Sequence, residues 1–141
     1  MILCDTGPLV ALVDQDDPHH ACCVAALHTL PAQPLLTTWP CLTEAMYLLW
    51  RAGGLSAQDE LWGYLADELV VLHVPEAAEW ERMRALMQQY HDAPMDFADA
   101  SLVAAAEHLR LRRIFGLDRH FHAYRIDGTD AFDVIPSSIS R

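Results

Sequence analysis

The chain has 141 residues, 52% of them hydrophobic, which fits one domain with a sizeable core and excludes a mostly disordered chain. Twenty acids face nine bases, all of them arginine, and the formal charge is −11 at pH 7. Because nucleic-acid-binding proteins usually carry a basic balance, either the partner is not nucleic acid or many carboxylates bind something cationic.

The N-terminal half predicts two short buried strands with helices between and after them. Residues 2–5 form an apolar run that ends in an acid, and residues 35–38 form a second run. Helices are predicted at 8–13, at 19–30, from 40 to the pair Gly53-Gly54, and at 56–68. The two glycines are expected to stop the third helix.

The C-terminal half continues the alternation of strands and helices. Strands are predicted at 69–74, 113–117 and 132–135, and helices at 75–90 and 96–110. Strands that alternate with helices imply a mostly parallel sheet covered on both faces. The prediction is therefore a single α/β domain over residues 1–141.

The cysteines and the hydropathy pattern predict a cytoplasmic location. No apolar run approaches the ~20 residues that a membrane helix needs, and the first residues do not resemble a signal peptide. The four cysteines form no C-x-x-C pair, which is typical of reduced, mostly buried thiols. We expect no membrane partner.

Acidic residues stand at several positions that a parallel sheet would bring to one edge. Asp5 and Asp118 each end a predicted strand, and Glu44 lies in the helix that follows the second strand. Asp96 and Asp99 occupy the first turn of a helix with i, i+3 spacing, which puts both on one face. Sites in open parallel sheets form outside the carboxyl ends of the strands, so we expect these acids to lie together.

A cluster of carboxylates needs a counter-charge. Acids within a few ångströms of one another repel and lose hydration, and the chain has no lysine to neutralise them. Mg²⁺ and Mn²⁺ favour oxygen ligands and keep several waters. A metal held in this way generates hydroxide from bound water and stabilises an anionic phosphate, so the sequence predicts phosphodiester hydrolysis.

Four motifs, in order along nearly the whole chain, resemble the PIN domain, and in particular its small bacterial and archaeal members of the VapBC toxin type. The motifs cover residues 1–6, 42–45, 95–104 and 115–121. The resemblance implies a three-layer α/β/α sandwich with a parallel central sheet. It also implies a Mg²⁺- or Mn²⁺-dependent endoribonuclease that acts on structured RNA, forms a homodimer, and is held inactive by an antitoxin protein.

The resemblance assigns roles to individual residues. The acids that match the motifs are Asp5, Glu44, Asp99 and Asp118. Thr6 is the hydroxyl neighbour of the first acid, and Asp96 is an extra acid that some members also have. Whether Asp96 or Asp99 meets the metal first stays open, as does the number of metal ions.

Several of these residues also have plainer explanations. Asp96 suits the N-cap of its helix, where the helix dipole favours an acid. Five of the nine arginines fall within sixteen residues, which predicts either a solvated helix end or a surface that contacts phosphate beside the fourth acid; they are Arg110, Arg112, Arg113, Arg119 and Arg125. In the second case Arg113, Arg119 and His120 would contact the substrate.

Other functions remain as alternatives. Receiver domains need a strand-end lysine, and aspartyl phosphatases need an Asp-x-Asp after the first strand, and the chain has neither. A catalytically weak PIN-like binding module, or a Mg²⁺-dependent phosphoesterase with a non-RNA substrate, is the remaining alternative. The tryptophans Trp50, Trp62 and Trp80 are predicted to lie in the core or on a dimer surface.

Overall fold

The computed structural model describes residues 1–136 and contains seven strands and five helices within that range. The strands are β1 (Ile2–Cys4), β2 (Leu35–Thr38), β3 (Val70–His73), β4 (Arg113–Phe115), β5 (Arg125–Ile126), β6 (Asp130–Ala131) and β7 (Asp133–Ile135). The helices are α1 (Thr6–Val13), α2 (His20–Thr29), α3 (Trp39–Ala66), α4 (Ala77–Gln89) and α5 (Phe97–Leu109), with a 3-10 turn at Arg119–His122. The predicted domain reaches residue 141, and its last residues lie outside the described part.

The central sheet has five strands in the order β3-β2-β1-β4-β7, and all of its neighbouring strands are parallel. Leu3 in β1 pairs with Leu36 on one side and with Ile114 on the other. The chain moves outward from β1 to β2 and β3, and then crosses back to β4 on the far side of β1. The strand order therefore reverses between β1 and β4, where ligands bind in open α/β sheets.

Alternate strand residues face opposite sides of the sheet and build two separate cores. One core joins α4 and α5 to the face that carries Leu3 and Ile114. The other joins α1, α2 and α3 to the face that carries Cys4 and Phe115. Because helices cover both faces, the molecule has three layers, and the predicted α/β/α sandwich with a parallel sheet is confirmed.

Helix α3 contains a break at Gly54, whose φ of 67° and ψ of −154° are not helical. This φ belongs to the left-handed side of the backbone map, which glycine adopts at little cost. The expected stop at the glycine pair is therefore confirmed, although the chain resumes a helix immediately afterwards. The break divides α3 into a first part beside the sheet edge and a second part that carries the buried Leu61.

Some boundaries differ from the predicted ones. Helix α1 begins at Thr6 rather than residue 8, because the Asp5 side chain accepts a hydrogen bond from the Thr6 amide and caps the helix. The small antiparallel pair of β5 and β6 was not predicted. Within residues 1–136, no helix is both long enough and apolar enough to span a membrane.

Candidate metal centre at the carboxyl edge of the sheet

Asp5 lies directly at the point where the strand order reverses. Its amide donates to the carbonyl of Phe115 over 2.9 Å, so the last residue of β4 holds the backbone at the end of β1. Its carboxylate Oδ1 accepts a hydrogen bond of 2.7 Å from the Thr6 amide. The residue is 7% exposed. The first acid is thus fixed by the sheet and by the start of α1.

Asp96 and Asp99 enter the site from the N-terminus of α5. Asp96 is the N-cap, and its Oδ1 accepts a 2.8 Å hydrogen bond from the Asp99 amide, so the expected capping role is confirmed. Asp99 is buried, and its Oδ2 accepts a 2.8 Å hydrogen bond from the Tyr124 hydroxyl. Asp96 is exposed at the rim of the site, whereas Asp99 points inward.

Small side chains let α5 approach the sheet closely enough to deliver these acids. Ala98, Ala100 and Ala104 are all buried. The Ser101 hydroxyl lies 2.7 Å from the Thr38 hydroxyl, which ties α5 to the end of β2. The first turn of α5 is therefore held at the same edge as Asp5.

Glu44 approaches from α3 and is connected to the first acid through Thr6. The Thr6 Oγ1 atom lies 3.2 Å from Glu44 Oε2 and 3.4 Å from the carbonyl of Cys41. Thr6 itself is buried, whereas Glu44 is exposed. The hydroxyl that was expected to accompany the first acid thus orients the second one.

Asp118 follows β4 and caps the 3-10 turn. Its Oδ1 accepts a 2.9 Å hydrogen bond from the His120 amide, and the ring Nδ1 of His120 lies 3.3 Å from the same oxygen. Asp99, Asp118 and His120 each offer one potential ligand atom, and the three atoms lie within 4.8 Å of one another. Two carboxylates and an imidazole therefore surround one small volume.

Burial changes the protonation of the two most enclosed acids. The pKa of Asp5 is raised from 3.8 to about 7, chiefly by burial. The negative charges of Asp99, Asp118 and Glu44 add to the rise, and the hydrogen bond from the Thr6 amide opposes it. Burial likewise raises the pKa of Asp99 to about 6. Near neutral pH the cluster therefore holds negative charge at a cost in free energy that a cation would remove.

Each acid of the cluster keeps one oxygen available. One carboxylate oxygen of each accepts a hydrogen bond from the protein, and the second accepts none from the described residues; the acids are Asp5, Glu44, Asp96, Asp99 and Asp118. Within residues 1–136 no buried side-chain oxygen lacks a partner, so these second oxygens remain open to solvent. Hard oxygen donors that face a common volume fit Mg²⁺ or Mn²⁺.

The arginines predicted to contact the substrate lie in different places. Arg119 is exposed and directly follows Asp118. Arg113 lies at the start of β4 and pairs with Asp133, with 3.1 Å between Nε and Oδ2. The structure therefore places Arg113 at the opposite edge of the sheet from the acids.

Two residues of the site were not identified from the sequence. Tyr124 is fully buried, and its hydroxyl holds Asp99. The Cys41 thiol lies 3.8 Å from Asp5 Oδ1, and burial raises its pKa to about 12, so it stays protonated. A buried tyrosine needs a partner for its hydroxyl, but this sequence has no pattern that names the partner.

Comparisons with known proteins agree with this geometry. The family model described as PIN domain matches residues 2–127. Ribonuclease VapC26 of Mycobacterium tuberculosis is 32% identical over 136 residues, which cover 96% of this chain and 100% of that protein. The crystal structure of Mycobacterium tuberculosis VapC20, described as a sarcin-ricin loop cleaving toxin, has a TM-score of 0.80 at 21% identity and covers 87% of this chain and 94% of that one. This chain therefore belongs to the PIN domain family and is of the VapC type.

Proposed function

We propose that this protein is a Mg²⁺- or Mn²⁺-dependent endoribonuclease and the toxin of a toxin–antitoxin pair. The observation that supports this most strongly is the set of acids at the strand reversal, two of them buried, each with one oxygen left for a cation. The match to the relative named a ribonuclease covers the full length of that protein, which supports RNA as the substrate. Membership of the PIN family supports the metal.

The residues of the site divide the work of phosphodiester hydrolysis. We assign Asp5, Asp99 and Asp118 as the inner ligands, because Asp99 and Asp118 each offer an oxygen within 4.8 Å of the other and the charges of both act on Asp5. Thr6 holds Glu44 through Oε2, which leaves Oε1 to orient the attacking water or to accept its proton. An ion held by these residues would supply electrostatic stabilisation of the phosphate and would lower the pKa of the water. Attack in line leaves a 5′-phosphate and a 3′-hydroxyl.

The acidic balance of the chain gives RNA little general attraction. Arg119 offers positive charge directly beside Asp118, and it is exposed. We therefore propose Arg119 as a phosphate contact, whereas the ion pair with Asp133 already neutralises Arg113. Most of the local attraction for phosphate would come from the bound metal.

The protein surface beside the acids supports a protein partner as well. An open groove of about 480 Å³ lies next to Glu44 and Asp96, and its walls include the half-exposed aromatic residues Trp39, Trp80 and Phe97. Large exposed apolar surfaces mark interaction sites. We propose that this surface binds the second copy in a homodimer or the antitoxin.

We also propose a cytoplasmic location, in which the four cysteines stay free thiols, as they are in the structure.

The first test is cleavage of structured RNA by the purified protein with Mn²⁺, with EDTA, and with Asp5→Asn. We expect EDTA to abolish cleavage and Asp5→Asn to reduce it by ~10³-fold or more, because a metal site contributes several kcal/mol to the transition state. Asp59→Asn, the same change at an exposed position of α3, is the matched control and should cleave normally.

Three results would contradict the proposal. Cleavage that persists in EDTA would exclude the metal, and a 2′,3′-cyclic phosphate product would mean that the 2′-hydroxyl of the RNA attacked instead of water. Metal binding without cleavage of any structured RNA would favour the alternative of a PIN-like binding module or a phosphoesterase with another substrate.

A further inference from the structure

The cluster at the carboxyl edge of the sheet contains one potential nitrogen ligand, the ring of His120, beside its carboxylates. We propose that His120 is a direct ligand of the metal together with Asp99 and Asp118, and that its nitrogen makes the site favour Mn²⁺ over Mg²⁺. This inference rests on the proposed function, because it assigns a ligand and a metal preference to the same site.

The 3-10 turn puts the His120 ring at the edge of the cluster. The His120 amide donates to Asp118 Oδ1, which fixes the backbone, and the ring Nδ1 then lies 3.3 Å from that oxygen. On its other side the ring lies 6.1 Å from the ring of Tyr124, measured between centroids. The side chain is 48% exposed, so the ring has room to turn a nitrogen toward a cation.

The hydrogen bonds of the two acids leave a coordination place for nitrogen. Asp99 Oδ2 accepts a hydrogen bond from the Tyr124 hydroxyl, and Asp118 Oδ1 accepts one from the His120 amide. Each carboxylate therefore has one uncommitted oxygen, and neither is arranged to bind through both. A ring nitrogen of His120 lies within 4.8 Å of a carboxylate oxygen of each of these two acids, so one divalent ion can reach all three residues.

A nitrogen ligand changes which ion is held most tightly. Mg²⁺ demands near-ideal octahedral geometry and prefers oxygen, whereas imidazole suits transition metals and raises their affinity relative to Mg²⁺. Neutral imidazole is the ligating form. Coordination by His120 should therefore raise the affinity for Mn²⁺ more than the affinity for Mg²⁺.

The same turn provides a matched control. His122 lies two residues further along the turn, is exposed, and is not part of the cluster formed by Asp99, Asp118 and His120. His122→Asn removes an imidazole from an exposed position of the same turn, as His120→Asn does. The amide of residue 120 remains in His120→Asn, so the cap of Asp118 is kept in that variant.

The experiment measures metal binding by the full chain, without any RNA. Mn²⁺ and Mg²⁺ are titrated into the metal-free protein, into His120→Asn, His122→Asn and Asp99→Asn, and pulsed EPR of bound Mn²⁺ records whether ¹⁴N is coordinated. We expect His120→Asn to lower the affinity for Mn²⁺ by roughly 10-fold and the affinity for Mg²⁺ by much less, because one ligand is lost. The ¹⁴N coupling should disappear in this variant. His122→Asn should leave all three unchanged.

The outcomes separate this inference from the proposed function. Tight Mn²⁺ binding that depends on Asp99 but shows no ¹⁴N coupling, or that is unchanged in His120→Asn, would overturn the His120 assignment and leave the metal-dependent nuclease standing. Absence of Mn²⁺ binding even at millimolar concentration would overturn both.

Discussion

Acids are buried in two regions of this molecule, and their surroundings differ. At the junction of β3 and α4, Glu79 is 3% exposed, and at the carboxyl edge of the sheet Asp5 and Asp99 are 7% and 5% exposed. Glu79 Oε2 accepts a hydrogen bond of 2.8 Å from the Glu76 amide, and Glu79 Oε1 lies 2.7 Å from His73 Nε2. Both of its oxygens are satisfied, whereas the two aspartates each keep one oxygen without a protein donor.

The comparison shows that the burial of an acid does not by itself mark a functional site. Glu79 closes the capping box of α4 and attaches the helix to the end of β3. Asp5 instead lies among other acids, whose charges add to its desolvation. The useful criterion is therefore whether each carboxylate oxygen has a hydrogen-bond donor: the acid with two satisfied oxygens is part of the scaffold, and the acids with one open oxygen are the candidate ligands.

The largest effect that tests this contrast is on the stability of the metal-free protein. Asp5→Asn should raise the free energy of unfolding at pH 8 by about 2–4 kcal/mol, because the pKa of Asp5 is raised from 3.8 to about 7 and its charge is therefore unfavourable in the folded state. Below pH 4 the carboxyl is protonated in both states. Between pH 4 and 7 only the folded state retains the proton, so this contribution to stability is lost as the pH rises.

Urea unfolding in EDTA at pH 5.5 and pH 8 measures this effect. The advantage of Asp5→Asn over the parent protein should be larger at pH 8, and saturating Mn²⁺ should reverse it, since the parent alone retains the full metal site. A variant less stable than the parent at pH 8 would mean that Asp5 is part of the scaffold, like Glu79.

The opposite result is expected at the other buried acid. Glu79→Ala should lower the free energy of unfolding by about 1.5–3 kcal/mol, because His73 and the Glu76 amide lose a charged hydrogen-bond partner in a buried place. Mn²⁺ affinity should not change. Glu81→Ala, an exposed position on the same helix, is the control for the loss of a charge. Weaker Mn²⁺ binding in Glu79→Ala would remove the distinction between the two regions.

The smallest effect concerns the support of an open-oxygen acid. Tyr124→Phe should lower the affinity for Mn²⁺ by about 10-fold, because the hydroxyl that fixes Asp99 is lost while the buried ring keeps its packing. Tyr90→Phe is the matched control: Tyr90 packs edge-on against Tyr124 at 5.1 Å between centroids, but its hydroxyl contacts the Arg125 amide.

Melting temperature and Mn²⁺ affinity should be measured on both tyrosine variants. Two results would show that Tyr124 has a structural role and does not support the metal site. One is an equal loss of Mn²⁺ affinity in Tyr124→Phe and Tyr90→Phe. The other is a loss of stability in Tyr124→Phe without a loss of Mn²⁺ affinity.

The sequence predicts the fold well because its signals are local. Apolar runs that end in acids mark β1 and β4, and Gly54 marks the break in α3. The pair of β5 and β6 has only two residues in each strand, which is too short for a periodic pattern. Its position depends on tertiary contacts instead.

The site is less predictable because it depends on which end of an element a residue occupies and on what lies opposite. Asp5 and Asp118 follow strands, so the topology alone puts them at one edge. Arg113 is close to Asp118 in the chain, yet it begins the strand that Asp118 follows, and a strand separates its two ends in space. The bond from Tyr124 to Asp99 joins two elements whose relation only the folded chain reveals.

The pairing of β1 with β4 also has a consequence for biosynthesis. β1 is made first, but its neighbour on the side of the strand reversal, β4, follows only after five helices and two further strands have been synthesised. A nascent chain on the ribosome that has exposed Asp5 and Glu44 still lacks Asp118. The sheet order therefore delays assembly of the acidic cluster until β4 and the Asp118 that follows it have emerged.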